Sequence, residues 1–209
     1  MMNVDSLRRL RFYLWGMLLV AVLTIASVYA LMGVMSKKAI TASRTRLEPL
    51  GSVTPFDFAT HTGDRISGSK LTGKIWVADF FFSSCQGVCP KMKASLRDVQ
   101  KTFDNNPDVK LVSFSVDPKR DTVERLQQFA KKWSANPEQW YFVTGKQGEI
   151  NDLANKGFML GGSEVPGEIL HSSKFVLVDQ QGNIRGYYDG TDAESVRQLM
   201  ADIRTLLDR

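Results

Sequence analysis

Two cysteines are the only ones in the 209-residue chain, and they lie four positions apart at Cys85 and Cys89. They follow directly on an apolar run, residues 75–82, in which Asp79 is the single charged side chain. A disulfide between them would close a small loop, and the chain entropy that it removes from the unfolded state would stabilise the fold by only about 2 kcal/mol. A disulfide that closes a hundred-residue loop would contribute roughly 4.7 kcal/mol. The pair is therefore better explained by sulfur chemistry than by stapling the fold. Thiolates one helical turn apart point the same way, which suits exchange with another thiol or binding of a soft metal ion.

The chain begins with an apolar segment that differs from the rest of the sequence. Residues 12–35 contain no charged side chain, and as a helix they would extend roughly 36 Å, enough to cross a hydrocarbon core of about 30 Å. Basic residues flank the segment on both sides, so charge alone does not set its orientation. We predict a cytoplasmic N-terminus over residues 1–11, a transmembrane anchor over 12–35 and a polar stalk over 36–49. A signal peptide cleaved near Ala30 is the alternative, although its apolar core would exceed the usual length of about 7–15 residues.

Residues 50–209 are numerous enough for one domain with its own hydrophobic core. The formal net charge is +5 and the isoelectric point is near 9.2, but seven of the 27 basic residues flank the apolar segment. The remaining basic residues alternate with acidic ones, and no basic run is interleaved with aromatic residues. The sequence therefore predicts that nucleic acid is not a partner.

Hydrophobic periodicity predicts alternating strands and helices in this domain. The apolar run over 74–82 is a buried strand, and apolar residues recur at helical spacing after Pro90. Capping boxes predict that two later helices begin near Asp121 and Thr191. The predicted strands are 74–82, 109–116, 140–143, 174–179 and 184–188, and a further helix is predicted over 149–158. This order predicts an α/β domain with a central sheet and helices on both faces.

The cysteine pair stands where the first core strand passes into a helix, an arrangement that resembles thioredoxin. The resemblance implies a thioredoxin-like domain with a central mixed sheet and flanking helices. A helix N-terminus stabilises a thiolate, so this position is expected to lower the pKa of a cysteine.

Acidic residues near the motif allow more than one interpretation. Asp79 lies six residues before Cys85, where thioredoxins have a buried aspartate. It is either an acid at the edge of a strand or a buried proton acceptor that serves the cysteines. Asp117, Arg120 and Asp121 are explained by a turn and a helix cap, and the sequence assigns them no chemistry.

Two histidines are available as nitrogen ligands. His171 stands just before the predicted strand 174–179, and in a thioredoxin-like fold the loop entering this strand packs beside the cysteines. His171 could therefore complete a metal site of two sulfurs and one nitrogen. The alternative is a histidine that forms hydrogen bonds at a strand edge. His61 lies in a turn and is predicted to be on the surface.

Four segments of the domain form a recognisable pattern. The first is the apolar strand leading into Cys-x-x-x-Cys-Pro, residues 73–90, and the second is Ser-Val-Asp-Pro-x-x-Asp-Thr, residues 115–122. The third is His171 followed by serine, and the fourth is Asp-x-x-Gly-x-Ile-Arg-Gly-Tyr-Tyr-Asp-Gly, residues 179–190. In this order, over residues 50–207, they resemble the Sco/SenC family of copper chaperones of cytochrome oxidase assembly. A single N-terminal span also fits that family.

This resemblance implies that Cys85, Cys89 and His171 bind one copper ion per chain, as Cu(I) or Cu(II). It implies a membrane-anchored metallochaperone that delivers copper to the CuA site in subunit II of cytochrome c oxidase, or maintains the thiols of that site. The expected location is the cytoplasmic (inner) membrane, with a single span and the copper-binding domain, residues 50–209, on the periplasmic or extracytoplasmic side. The expected partners are subunit II and a thioredoxin-like reductase or another copper chaperone. Cys85 and Cys89 would be the redox-active pair if the chain also acts as a thiol–disulfide reductase.

A membrane-tethered thiol–disulfide oxidoreductase without metal is the alternative function. The spacing is Cys-x-x-x-Cys rather than the usual Cys-x-x-Cys, and His171 stands where thioredoxins place a cis-proline. A peroxidase of the peroxiredoxin or glutathione peroxidase type is a third interpretation, because Cys89-Pro90 resembles a peroxidatic Cys-Pro. A peroxiredoxin would have a threonine three residues before that cysteine, and Gln86 stands there instead.

Overall fold

The structure of the protein is a computed structural model that describes residues 15, 17–18, 21–29, 31–32, 47–161 and 172–208. The chain forms two compact units, Met1–Thr45 and Arg46–Arg209. In the first unit the described residues are helical and exposed. No helix among the residues described is both long enough and apolar enough to cross a membrane. Both ends of the predicted anchor, residues 12 and 35, lie outside the described residues, so its boundaries stay predictions.

The described part of the second unit contains one eight-stranded sheet. Its strands are β1 (Gly51–Ser52), β2 (Asp57–Thr60), β3 (Arg65–Ser67), β4 (Ile75–Phe81), β5 (Val109–Ser115), β6 (Trp140–Thr144), β7 (Lys174–Val178) and β8 (Asn183–Asp189). Their order across the sheet is β1-β8-β7-β4-β5-β6-β2-β3. The neighbours β4, β5 and β6 are parallel, whereas β7 runs antiparallel to β4 and to β8. The prediction of a central mixed sheet is confirmed.

Helices cover both faces of this sheet. Those in the described residues are α1 (Cys89–Thr102), α2 (Val123–Lys132), α3 (Gln147–Asp152) and α4 (Ala193–Leu207). Helices α1, α2 and α4 bury their apolar residues in one cluster. Helix α3 and the π-helical turn Leu153–Gly157 that continues it contribute to a second cluster. This two-sided packing is the predicted thioredoxin-like arrangement.

Strand β4 lies near the middle of the sheet and connects both clusters. All seven of its residues are buried, and successive side chains of a strand point to opposite faces. Val77 and Phe81 join the cluster that α1 covers, while Trp76 and Phe80 join the other. A strand that is buried on both faces needs a continuous apolar run, and this requirement made β4 recognisable from the sequence.

Two helices begin one residue later than the capping boxes predict. Thr122 caps α2 and accepts a hydrogen bond from Arg125 N at 3.4 Å. Asp192 caps α4 and accepts from Ser195 N at 2.7 Å. Asp121 does not cap α2, because its carboxylate accepts hydrogen bonds from Ser83, in the loop before the cysteines, and from Ser115 at the end of β5.

The prediction that His61 lies on the surface is wrong. The residue is 5% exposed, and its Nδ1 accepts a hydrogen bond from Phe142 N at 3.2 Å. The backbone N–H of His61 donates in turn to the Phe142 carbonyl at 2.8 Å. The two rings meet edge to face with centroids 5.8 Å apart. The turn after β2 is therefore folded against β6, and this contact buries the histidine.

Burial of His61 predicts that the domain loses stability in mild acid. Burial disfavours the charged imidazole and so lowers the pKa of His61. The unfolded chain therefore binds a proton at about pH 6.5 that the folded chain does not yet bind. Stability contributed by neutral His61 is present above that pH and is lost as the pH falls through the lower folded pKa.

Urea unfolding of the wild type and of His61→Asn, measured between pH 8 and pH 5, tests this prediction. The asparagine oxygen can still accept from Phe142 N but does not titrate, so the variant should lose less stability over this range. Parallel pH profiles for the two proteins would contradict it.

Candidate dithiol and metal site

The two cysteines lie where β4 passes into α1, as the sequence predicts. Strand β4 ends at Phe81 and α1 begins at Cys89. Pro90 occupies the first turn of α1, where a missing N–H removes no helical hydrogen bond. Cys85 is half-buried and Cys89 is 6% exposed, and both are free thiols. Only one sulfur of the pair is thus readily accessible from solvent.

The surroundings of the two thiols push their pKa values in opposite directions. Burial raises the pKa of Cys89 to about 12, and the hydrogen bond with the Cys85 sulfur is the second largest cause of this rise. Burial also acts to raise the pKa of Cys85, but hydrogen bonds from the Cys89 thiol and from the backbone N–H groups of Cys89, Gly87 and Val88 outweigh it. The pKa of Cys85 is therefore lower than that of an ordinary cysteine. Cys85 is therefore the thiol of the pair that ionises more readily, and the buried Cys89 thiol donates a hydrogen bond to it.

Asp121 fixes the segment that leads to Cys85. Its fully buried carboxylate accepts hydrogen bonds from Ser83 N at 2.9 Å, from Ser83 Oγ and from Ser115 Oγ at 2.6 Å. Arg125 Nε donates to Ser83 Oγ at 2.7 Å and lies 3.7 Å from the Asp121 carboxylate. The sequence assigned Asp121 only to a turn and cap. In the structure, Asp121 connects the end of β5 to the cysteine loop, which is the segment 82–88 between β4 and α1.

A buried ion pair lies on the same helix as Cys89. Lys93 follows that cysteine by one helical turn and is fully buried. Its Nζ donates to the Asp79 carboxylate and to Ser113 Oγ, the latter at 3.0 Å. Ser113 Oγ donates to Asp79 and accepts from Trp140 Nε1 at 3.0 Å. Asp79 is therefore not a strand-edge acid, and its pairing with Lys93 means that it is not a free proton acceptor for the cysteines.

Lys93 was not predicted from the sequence to belong to this site. A signal for it was present, because Lys93 lies four positions after Cys89 on a side of α1 that buries Met92 and Leu96. The preceding strand carries Asp79 as its one charged residue. A basic residue on the buried side of a helix and an acidic residue in a neighbouring buried strand are candidates for a pair, since neither is found fully buried without a partner.

The third predicted ligand, His171, lies outside the described residues. Within residues 47–161 and 172–208, no group of three or more His, Cys, Asp or Glu side chains could hold a metal ion. Cys85 and Cys89 supply two soft sulfur ligands for such an ion. The complete set of Cys85, Cys89 and His171 stays a prediction.

The chain that follows His171 enters the sheet beside the cysteine-bearing strand. Strands β7 and β4 are antiparallel, with Val176 opposite Ala78 and Val178 opposite Trp76. The start of β7 therefore lies at the same end of the sheet as the end of β4, which leads to the cysteines. Gly190 also links this region to α1, because its carbonyl accepts a hydrogen bond from the Ser95 hydroxyl at 2.9 Å and its N–H donates to Ser173 O at 2.7 Å.

Comparison with known proteins places the chain in a family. The SCO1/SenC family model matches residues 45–208. The chain belongs to the SCO1/SenC family. The SCO1 protein homolog of Bacillus subtilis (strain 168) is 35% identical over 163 residues, which cover 76% of this chain and 84% of the relative.

Solved structures of SCO1/SenC proteins share the fold. BsSco, a member of the Sco family of cytochrome c oxidase assembly proteins in which a disulfide switch has been identified, is 34% identical with a TM-score of 0.67. The alignment covers 76% of this chain and 95% of BsSco. ScoI of Bradyrhizobium japonicum with copper bound is 21% identical with a TM-score of 0.61. The alignment covers 74% of this chain and 99% of ScoI. At that identity the likeness to ScoI shows a common fold.

Proposed function

We propose that this SCO1/SenC protein is a membrane-anchored copper metallochaperone in which Cys85, Cys89 and His171 bind one copper ion. The observation that carries the proposal is the pair of free thiols at the junction of β4 and α1, one half-buried and one buried. Thiolates favour Cu(I), and imidazole accepts either copper oxidation state. A set of three ligands leaves one side of the ion open, so a receiving protein can take the ion by ligand exchange.

The recipient that we propose is the CuA site in subunit II of cytochrome c oxidase. Support comes from BsSco, a relative that belongs to a family of cytochrome c oxidase assembly proteins, and from ScoI, which binds copper on the same fold. The chain either delivers copper to this site or maintains its thiols in the reduced state. A disulfide cannot supply thiolate ligands, so a thioredoxin-like reductase partner reduces Cys85 and Cys89 by thiol–disulfide exchange. Another copper chaperone is the alternative partner.

The location that we propose is the cytoplasmic (inner) membrane. Residues 12–35 form the single span, and the domain over residues 50–209 lies on the periplasmic or extracytoplasmic side. Support comes from the 24 consecutive uncharged residues of the segment, which suffice for a transmembrane helix.

Copper stoichiometry and affinity test the proposed site. The full-length chain is reduced, kept free of oxygen and titrated with Cu(I) in competition with a Cu(I) chelator. We expect one ion per chain, and an affinity at least about tenfold weaker in Cys85→Ser and His171→Ala, because even loss of a partner that only orients a ligand typically weakens binding by about 10–100-fold. His61→Asn is the matched control, because it removes the other histidine of the chain, and it should bind copper as the wild type does.

Weak copper binding that is indifferent to His171 would contradict the metallochaperone. The second candidate function would then be a metal-free thiol–disulfide oxidoreductase, which the lowered pKa of Cys85 beside the buried Cys89 favours. In that case His171→Ala should catalyse disulfide exchange at the wild-type rate, while Cys85→Ser should be inactive.

A further inference from the structure

Lys93 places a positive charge in the interior of the domain. Its side chain has no solvent exposure, and Nζ lies 4.1 Å from the centre of the Phe81 ring and 5.5 Å from that of Phe142. Ring faces attract a cation, and the Asp79 carboxylate and the Ser113 hydroxyl accept its hydrogen bonds. Burying two charges carries a desolvation cost, and well-packed apolar residues of similar volume are often at least as stable. Stability alone therefore does not account for a charged pair at this place.

The position of Lys93 on α1 relates it to the cysteine pair. Side chains four residues apart on a helix are neighbours, with Cβ atoms about 5–6 Å apart, so the ammonium group and the Cys89 sulfur belong to the same side of α1. Burial raises the pKa of Cys89, and the charge of Lys93 acts against that shift. Asp79 instead belongs to the sheet, two residues before the end of β4. Asp79 thus holds the ammonium from the sheet side, while Cys89 adjoins it along the helix.

Loading of the proposed site creates negative charge next to this lysine. When Cu⁺ binds, the remaining thiol protons leave to solvent, and two thiolates and a neutral imidazole surround the ion. The ion and its ligands then carry one net negative charge in a poorly solvated setting, which is costly unless it is compensated.

We infer that Lys93 is the internal counter-charge of the Cu(I)-loaded dithiol site, held in place by Asp79. The inference rests on the proposed function. Lys93 does not bind the ion and acts through Cys89, so it is a positioning and electrostatic residue. Without its charge, the Cu(I)–dithiolate form rises in free energy relative to the metal-free dithiol.

The experiment compares Lys93→Met with Lys91→Met in the full-length, reduced chain. Lys91 lies two residues earlier on α1 and is exposed, so both variants lose one positive charge from the same helix and differ in burial. We expect Cu(I) affinity to fall about tenfold or more in Lys93→Met, within the range seen for groups that orient or tune a metal ligand. Lys91→Met should change the affinity less than about twofold, because water screens an exposed charge. Equal affinities of the two folded variants would overturn the inference.

A second variant keeps the test decisive if Lys93→Met does not fold. Asp79→Asn/Lys93→Met removes both charges and leaves no uncompensated ion in the interior. We expect it to bind Cu(I) more weakly than the wild type even where thermal melting shows it fully folded, and wild-type affinity would overturn the inference. A purely structural role would change the melting temperature and leave the affinity of the folded protein unchanged.

The reduction potential of the Cys85–Cys89 pair separates this inference from the proposed function. Two electrons from a dithiol reagent such as dithiothreitol cleave the neutral disulfide to two sulfurs, and where only one of them takes up a proton the other is a thiolate that Lys93 stabilises. Loss of Lys93 should therefore make the disulfide harder to reduce. If the wild type binds no Cu(I), the proposed function fails, and the potential then decides the role of Lys93. A potential that is equal in the wild type, Lys91→Met and the folded Lys93 variant would overturn the inference.

Discussion

Asp79→Leu should lower the free energy of unfolding by about 3–5 kcal/mol, the usual result of removing one partner of a buried ion pair. Lys93 would keep its charge in the interior with only the Ser113 hydroxyl as a hydrogen-bond acceptor. Domains of ordinary size have about 5–15 kcal/mol of stability in total, so this single change removes a large part of it. Urea denaturation followed by tryptophan fluorescence measures the effect.

Two further variants show whether charge imbalance causes the loss. Asp79→Leu/Lys93→Met replaces the ion pair with apolar side chains and should recover most of the lost stability. Asp57→Leu removes the carboxylate of an exposed pair with Arg65, where both side chains are more than half exposed, and should cost less than about 1 kcal/mol. If the double variant were no more stable than Asp79→Leu, imbalance of charge would not be the cause.

Asp121→Ala should lower the free energy of unfolding by about 3 kcal/mol, because hydrogen bonds to a charged group contribute about 1.5–3 kcal/mol each. The substitution leaves the buried Ser115 hydroxyl without this acceptor, and it releases Ser83 N and Ser83 Oγ from the carboxylate. The segment before Cys85 then loses its connection to β5. Hydrogen exchange of the amide groups over residues 83–86 should therefore become faster.

Asp117→Ala is the matched control for this second prediction. Asp117 lies in the same turn, but its carboxylate pairs with an exposed arginine, Arg120, at 3.0 Å. Asp117 is itself buried, but its loss removes one hydrogen bond to the carboxylate where Asp121→Ala removes three, so it should cost less stability and leave exchange near Cys85 unchanged. Comparable exchange in both variants would mean that the turn as a whole, rather than the Asp121 carboxylate, holds the cysteine loop.

The elements that the sequence predicts correctly are those whose signal is local and long. Strand β4 is a seven-residue buried run, and α1 carries an apolar stripe over 14 residues. Strands β1 to β3 have between two and four residues, too few to show a period of two against neighbouring turns. The cysteines were placed correctly because the junction of a long strand and a long helix defines their position.

Residues whose roles depend on distant partners were misassigned or missed. His61 is buried because it pairs with Phe142, 81 positions away, and Asp121 reaches Ser83 across 38 positions. Lys93 and Asp79 are 14 positions apart on different elements. Helix and strand periodicity describes which side of one element is apolar. It carries no information about which polar groups meet when two elements pack.

The two cysteines differ in exposure, and this difference determines which sulfur a partner protein contacts first. A partner that approaches the junction of β4 and α1 meets Cys85, since Cys89 is only 6% exposed. If such a partner exchanges disulfides with this chain, the mixed disulfide would form first at Cys85, and the Cys89 thiol would then displace the partner. A copper ion bound at the proposed site would likewise exchange the Cys85 sulfur for a ligand of the partner first, while the Cys89 sulfur still binds it. Disulfide exchange and copper transfer, if the chain performs both, would therefore begin at the same exposed sulfur.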